Sequence, residues 1–297
     1  MKNFAELRDR LQSNAKKRVV AVVAANDQHT LEALVRAKKE SLVEPLLIGD
    51  KAETEKILAS LGDDPSSYRI IDEKDGPAAA QIAADLAREG KVDCIMKGHI
   101  ETGVLMKVMV NKERGIRKNK VMSLLSFMES PYYPKLFGIT DVGLLTYPDK
   151  DQKKAALINA VNAFHKLGVD NPKVALICAV EKVNPKMPDT VDAAQIKEEV
   201  TEGCIVEGPI SYDLAMDKNS AAIKGYSSPV AGDADILVVP DIVSGNIAAK
   251  TITCVGGGRT GGTVLGALVP VLLVSRSASS DDKYNSIIIS ALIGRDE

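Results

Sequence analysis

Pro270-Val271-Leu272-Leu273-Val274 runs directly into Ser275-Arg276-Ser277-Ala278-Ser279-Ser280-Asp281-Asp282. A short apolar run bounded by a proline and by polar residues reads as a buried strand. What leaves it is a hydroxyl, a guanidinium and a pair of carboxylates. Open α/β sheets hold their ligands beyond the carboxyl ends of the strands, so this stretch points to a fold class and to the edge of the sheet where chemistry would occur. A hydroxyl and a guanidinium placed there can stabilise charge on a carbonyl or phosphoryl oxygen.

Other short runs rich in Val, Ile and Leu repeat the pattern: Arg18 to Ala24, Pro45 to Ile48, Val92 to Met96, Lys120 to Leu125, Lys173 to Ala179 and Ile236 to Val239. They alternate with segments of helical period, Thr30 to Glu40, Ala52 to Leu61, Pro77 to Arg88, Lys150 to Leu167, Val191 to Val200 and Tyr284 to Leu292. Buried strands alternating with helices are βα units around parallel sheets. Prolines and tyrosines in Ser130-Pro131-Tyr132-Tyr133-Pro134 and Thr146-Tyr147-Pro148 break the pattern between 130 and 150, which predicts a boundary there and two α/β lobes. A ligand would then lie in an interdomain cleft, at strand ends. In the helix after Pro148, Ala156, Ile158, Ala160, Val161, Ala163 and Phe164 lie on and around one apolar face.

The chain has 297 residues, 45% of them hydrophobic, enough for roughly two domains with a core each. With 38 basic against 40 acidic side chains, nothing favours nucleic acid or an anionic membrane as the main partner. Cys94, Cys178, Cys204 and Cys254 are far apart, and three sit in apolar stretches; reduced thiols fit that pattern better than disulfides or metal ligands. The N-terminal segment carries acids and no long apolar core, so a cytoplasmic location is expected. Three histidines without close Cys or carboxylate partners give no zinc or di-iron pattern.

Gly256-Gly257-Gly258-Arg259-Thr260-Gly261 formally matches the dinucleotide fingerprint, but only Gly262 to Val269 separates it from Pro270. That is too short for the crossover helix such a site requires, so the stretch reads as a flexible loop. Lys97-Gly98-His99 follows an apolar run, with Thr102, Lys107 and Ser123 downstream; ammonium and hydroxyl groups gathered at one sheet end suit phosphate oxygens. Gly208-Pro209-Ile210-Ser211-Tyr212-Asp213 reads as a sharp turn feeding a helix capped by Ser211. Asn246 and Lys250 lie one helical turn apart after Pro240-Asp241. Arg114, Arg117, Lys118 and Lys120 read as a charged loop or as contacts for the phosphates of a nucleotide-like substrate.

Taken in order, these blocks resemble the phosphate acetyltransferase and phosphate butyryltransferase family, closest to the butyryl or branched-chain branch. The resemblance rests on Lys97-Gly98 with Thr102-Gly103, Ile139-Thr140-Asp141 with Pro148 and Lys153, Gly168 to Ala175 and Glu181-Lys182-Val183-Asn184-Pro185-Lys186. It continues through Gly208-Pro209 with Asp213, Lys224-Gly225, Pro229 to Asp235, Pro240-Asp241 with Gly245-Asn246 and Lys250, and Ser275-Arg276.

The resemblance implies a two-lobed, isocitrate dehydrogenase-like α/β fold in which residues 1–137 plus 266–297 form one lobe and 138–265 the other. It also implies transfer of a short acyl group, butyryl or branched-chain preferred, between coenzyme A and inorganic phosphate. Coenzyme A is then a substrate and no cofactor is expected; the protein would be a homodimer or larger homo-oligomer. Ser275, Arg276 and Asp282 become the catalytic candidates, as oxyanion donor, phosphoryl-binding guanidinium and thiol base. Lys97, Thr102, Lys107, Ser123, Asp213, Asn246 and Lys250 become the substrate-binding candidates. Lys107 stands where acetyl-specific relatives carry an arginine, and Ser277 where they carry glycine; both tilt the expectation from acetyl toward butyryl. The alternatives are a phosphate acetyltransferase and, from another class, an NAD(P)-dependent dehydrogenase on the same fold.

Overall fold

The computed structural model describes residues 1–275 and 278–295. The chain divides into two compact units: Phe4–Lys120 with Gly261–Glu297, here the first unit, and Met1–Asn3 with Val121–Thr260, the second. In chain order the first unit contains α1 (Phe4–Gln12), β1 (Arg18–Val23), α2 (Gln28–Lys39), β2 (Val43–Gly49), α3 (Lys51–Ser60), β3 (Arg69–Asp72), α4 (Gly76–Arg88), β4 (Cys94–Lys97) and α5 (Thr102–Met109). The second contains β5 (Ser123–Glu129), β6 (Phe137–Thr140), α6 (Lys150–Lys166), β7 (Lys173–Ile177), α7 (Pro188–Glu199), β8 (Ile205–Ile210), α8 (Tyr212–Met216), α9 (Lys218–Ile223), β9 (Ile236–Val238) and α10 (Ile242–Cys254). The chain then returns to the first unit through β10 (Arg259–Leu265), β11 (Val271–Leu272) and α11 (Ser280–Ile293).

Strand order in the first unit is β3-β2-β1-β4-β11-β10. The first five are parallel and β10 runs antiparallel, with Val264 opposite Val271. Val23 is level with Lys97, and Leu272 with Met96, so β1, β4 and β11 release their chains at the same edge. β1 and β4 are neighbours whose connections leave in opposite directions, which makes the gap between them the switch point where such sheets bind ligands. β11 is two residues long; Leu273 and Val274, expected to extend it, are half-buried beyond its end.

The edge at β1 and β4 is tightly built. The amides of Gly98 and His99 donate to the carbonyls of Val23 and Ala24, both at 2.8 Å. A Cβ on Gly98 would stand 2.2 Å from the Ala24 oxygen, so this backbone approach requires glycine. Ala24 itself has φ 54°, a left-handed conformation that side chains seldom adopt. On one face of the sheet, α4 buries Ala79, Ala80, Ala83, Ala84 and Ala87, small residues at helical spacing that let it lie close.

In the second unit the order is β5-β6-β9-β7-β8, with β5 antiparallel to β6 and the rest parallel. Its core includes Phe137, Ile139, Leu214, Leu237 and Val239, and Phe127 stacks on Phe164 with ring centres 5.2 Å apart. Ile158, placed by its spacing near the apolar face of α6, is 41% exposed instead.

The division between units falls before β5 rather than at 137/138, because β5 and β6 form one hairpin with Leu125 opposite Thr140. On the return it falls inside β10, between Thr260 and Gly261, rather than at 265/266. Two further readings change. Gly208-Pro209 lies within β8 and not in a turn; β8 is the outermost strand of its unit, where a proline's missing N–H costs least. The glycine-rich stretch ends in β10, where a Cβ on Gly261 would stand 2.9 Å from Asn285. That glycine serves the packing of α11 against β10.

Candidate active site

Ser275 leaves the carboxyl end of β11 and is exposed. Its carbonyl accepts from the Ala278 amide at 3.2 Å. Arg276 and Ser277 lie outside the described residues. Asp282 is the third residue of α11 and takes part in a capping box: its amide donates to Ser279 Oγ at 3.1 Å, and its carboxylate accepts from the Ser279 amide at 3.4 Å. Ser275 and Asp282 therefore stand at either end of the stretch between β11 and the first turn of α11, Ser275 at the edge shared with β1 and β4.

Lys97 ends β4, but its side chain is buried and its Nζ donates to the carbonyls of Gly98 at 3.2 Å and Ile100 at 3.1 Å. The ammonium holds the loop leading to α5. Thr102 is the first residue of that helix and is exposed, beside backbone N–H groups that the cap residue Glu101 does not satisfy with its side chain. Lys107 is also exposed but lies in the last turn of α5, at the other end of the helix from Thr102. Ser123, expected among the substrate contacts, is completely buried in the second unit, and its Oγ accepts from Asn159 Nδ2 at 3.0 Å. A hydroxyl enclosed in this way is spent on the core. Of the basic cluster, Arg114 pairs with Asp85 at 2.9 Å.

The strand ends of the second unit bring together a different set. Asp141, just beyond β6, is buried, and its carboxylate accepts amides from Leu124, Gly143 and Leu144 at 2.7, 2.8 and 2.7 Å. Burial raises its pKa above the ordinary carboxylate value, against the pull of those donors. α10 is seated on this turn: Asp241 caps it by accepting from the Ser244 amide at 2.9 Å, and a Cβ on Gly245 would meet the Asp141 carbonyl at 2.8 Å. Asn246 Nδ2 donates to the Val142 carbonyl at 3.2 Å. Lys250 follows one turn along α10, exposed. Asn246 and Lys250 thus share one helix face beside the Asp141 turn.

Asp213 lies on α8, away from that helix, and binds Lys224 at 2.9 Å. The Lys224 ammonium, with help from Ser211, holds its carboxyl at a pKa of about 2. Ser211, expected to cap α8, makes no side-chain cap bond; it donates instead to Glu181 Oε1 at 2.5 Å. Lys153 is buried and bonds Asp189 at 2.8 Å and Asp192 at 2.9 Å, joining α6 to α7. Burial pulls the pKa of its ammonium down, but the hydrogen bonds and charges of Asp189 and Asp192 carry it above the ordinary lysine value. Asp141 and the Ser211–Glu181 pair were not among the expected site residues, although their sequence blocks had been noticed: a carboxylate next to a strand end does not announce from sequence that it closes a turn.

Among the described residues no cluster of three His, Cys, Asp or Glu could hold a metal ion. No helix among them is long and apolar enough to cross a membrane.

Comparison with known proteins gives a consistent picture. Residues 77–291 match the phosphate acetyl/butaryl transferase family. The chain is 38% identical over 297 residues to phosphate butyryltransferase of Clostridium acetobutylicum, covering 99% of this chain and 98% of that protein. It is 38% identical over 284 residues to phosphate acetyltransferase of Thermotoga maritima, covering 94% and 96%. A branched-chain phosphotransacylase from Enterococcus faecalis superposes with a TM-score of 0.84 at 33% identity, covering 93% and 98%. A 4-hydroxythreonine-4-phosphate dehydrogenase from Burkholderia phymatum, at 13% identity and a TM-score of 0.59 over 95% of this chain and 100% of that one, shares the fold alone. The isocitrate dehydrogenase-like architecture expected from the sequence is therefore the one observed.

Proposed function

The chain belongs to the phosphate acetyl/butaryl transferase family, and from that membership we propose that it moves a short acyl group between coenzyme A and inorganic phosphate, with butyryl or branched-chain groups preferred over acetyl. The observation that supports the reading is that Ser275 leaves the sheet edge shared by β1, β4 and β11 and Asp282 lies in the first turn of α11, with Arg276 next to Ser275 in the sequence. In the direction of thioester formation the thiol of coenzyme A gives up its proton and its sulfur attacks the carbonyl carbon of an acyl phosphate. The tetrahedral oxyanion then collapses, and the C–O bond to phosphate breaks.

Each step needs one of these groups. Asp282 takes the thiol proton, Ser275 donates to the developing oxyanion, and Arg276 binds the phosphoryl oxygens. No electron changes hands, so the chemistry requires no cofactor beyond coenzyme A as substrate. Thr102, Lys107, Asp213, Asn246 and Lys250 are the substrate contacts we retain, all with exposed or half-exposed side chains. Lys97 acts through the loop it holds, and for Ser123 we propose no contact. The dehydrogenase alternative is supported only by a shared fold.

Preference for longer acyl chains is supported by the relatives named for butyryl and branched-chain substrates and by Lys107, a point charge where bidentate recognition would need arginine. We expect kcat/KM for butyryl- or isobutyryl-coenzyme A to exceed that for acetyl-coenzyme A by about 10-fold or more, the scale on which a hydrophobic pocket separates substrates by methylenes. Release of free thiol in the presence of phosphate measures it, and a higher value for acetyl would overturn the preference.

We further place the protein in the cytoplasm, where its four free cysteines stay reduced, and propose a homodimer or larger. Val243 and Ile247 on α10 are 49% and 60% exposed, an apolar face that a second copy would cover. Light scattering after size exclusion should give at least twice the 31.7 kDa chain mass, and a monomer at micromolar concentration would contradict it.

A further inference from the structure

Lys283 sits one residue beyond Asp282, in the second turn of α11, and is 3% exposed. Its Nζ lies 3.6 Å from Asp27 Oδ1 and 3.4 Å from Thr30 Oγ1. Asp27 is the cap residue of α2, accepting from the Thr30 amide at 2.8 Å, and it ends the loop that leaves β1 through Ala24. The ammonium therefore ties the helix that follows the Ser275–Arg276 segment to the loop at the switch point of the sheet. The other end of that segment is fixed by β11, paired with β4.

Two further contacts join α11 to α2 nearby. Asp281 pairs with Arg36 at 2.8 Å, but both side chains are largely in solvent, at 68% and 46% exposure, where ion pairs contribute little. Tyr284 donates to Glu40, beneath the Arg36 guanidinium, at the far end of α2. Lys283 differs from both in being enclosed and in reaching the cap of α2. Taking an ammonium out of water is costly, and an apolar side chain of similar volume often serves stability as well or better. A buried charge here is better explained by the orientation it enforces. Asp27 responds to it: burial alone would raise its pKa, but hydrogen bonds from Thr30 and the Lys283 charge together carry it below the ordinary value.

We propose that Lys283 is a positioning residue for acyl transfer, anchoring the start of α11 to the cap of α2 so that Ser275 and Asp282, on either side of that anchor's connection to β11, meet the substrate in a fixed orientation. The proposal rests on the acyltransferase reading above, and it concerns a residue that touches no reacting atom. Small misplacements of catalytic groups cost up to about 10²-fold in rate, so the loss should appear in kcat.

The test uses the full chain as wild type, Lys283→Met, Asp27→Asn and the double variant. Asn at 27 keeps a cap acceptor and covers the case in which Lys283→Met fails to fold. Steady-state kinetics with butyryl-coenzyme A and phosphate should show kcat reduced about 10-fold or more in each folded single variant, with both KM values within about 3-fold. The double variant should be no worse than the poorer single one, since coupled residues are not additive. Hydrogen exchange reads the same anchor without turnover: amides between 273 and 283 should exchange faster in the variants, while those of the second unit stay unchanged. Unchanged exchange in that segment, a kcat within 2-fold of wild type, or additive losses would overturn the proposal. A wild-type protein inactive toward every acyl-coenzyme A would instead sink the acyltransferase reading, with the exchange result still deciding the anchor.

Discussion

Replacement of Arg276 by alanine is expected to lower kcat/KM for butyryl-coenzyme A by about 10² to 10³, the loss that follows removal of one preorganised donor to a developing oxyanion, about 3 kcal/mol. The guanidinium is the one group on the β11–α11 connection that stays charged at every working pH and can bind two phosphoryl oxygens at once. Both KM for phosphate and kcat should suffer, since the group binds the phosphoryl oxygens in the ground state and the charge that builds during attack. Arg276→Lys keeps the charge and loses the fork, and should recover part of the activity, to about 10-fold below wild type. Thermal unfolding measured on the same variant separates a loss of chemistry from a loss of fold, and a melting temperature near that of the wild type is expected for a group used in binding rather than packing. An alanine variant within 3-fold of wild type would remove Arg276 from the chemistry.

Asp282→Asn separates two roles that the geometry allows for one carboxylate. Its capping-box contact with Ser279 is a fold interaction, and asparagine retains an acceptor for the Ser279 amide, so stability should fall by no more than about 1 kcal/mol. A thiol base cannot be replaced by an amide, and kcat should then drop by about 10² to 10⁴. The pairing of a small change in melting temperature with a large one in kcat is the expected result. If kcat stays within a few-fold while the melting temperature falls, Asp282 is a cap and the proton goes elsewhere.

Strands buried on both faces were readable from sequence because they are continuous apolar runs: β1, β7, β9 and β11 fall inside the expected stretches, and β4 runs one residue past its own, to Lys97. β6, β8 and β10 were hidden by glycine and proline. Each has a specific physical reason. Gly138 in β6 makes room for Leu125 and Phe164, whose atoms would lie 2.8 and 3.1 Å from a Cβ. Gly208-Pro209 is tolerated because β8 has a partner on one side only within its unit. Gly261 in β10 lets α11 approach. In β6 and β10 the glycine answers a neighbour distant in sequence, and in β8 the tolerance depends on where the strand sits in the sheet; local propensity sees neither.

The site was legible in the same uneven way. The strand that opens into Ser275 was recognisable from its apolar run, and it ends at the sheet edge shared with β1 and β4. Burial could not be recognised: Lys97 and Ser123 have the right chemistry for phosphate, yet one holds its own loop and the other is enclosed by Asn159. Nor could the pairing of Lys283 with Asp27, which joins residues from opposite ends of the chain.

The central claim, acyl exchange between coenzyme A and phosphate, is tested most directly by following both products of one reaction. With butyryl-coenzyme A and inorganic phosphate, phosphorus NMR should show butyryl phosphate appearing in equal amount to free thiol, and both should vanish when phosphate is omitted. Thiol release that continues without phosphate, or that yields no acyl phosphate, would contradict it.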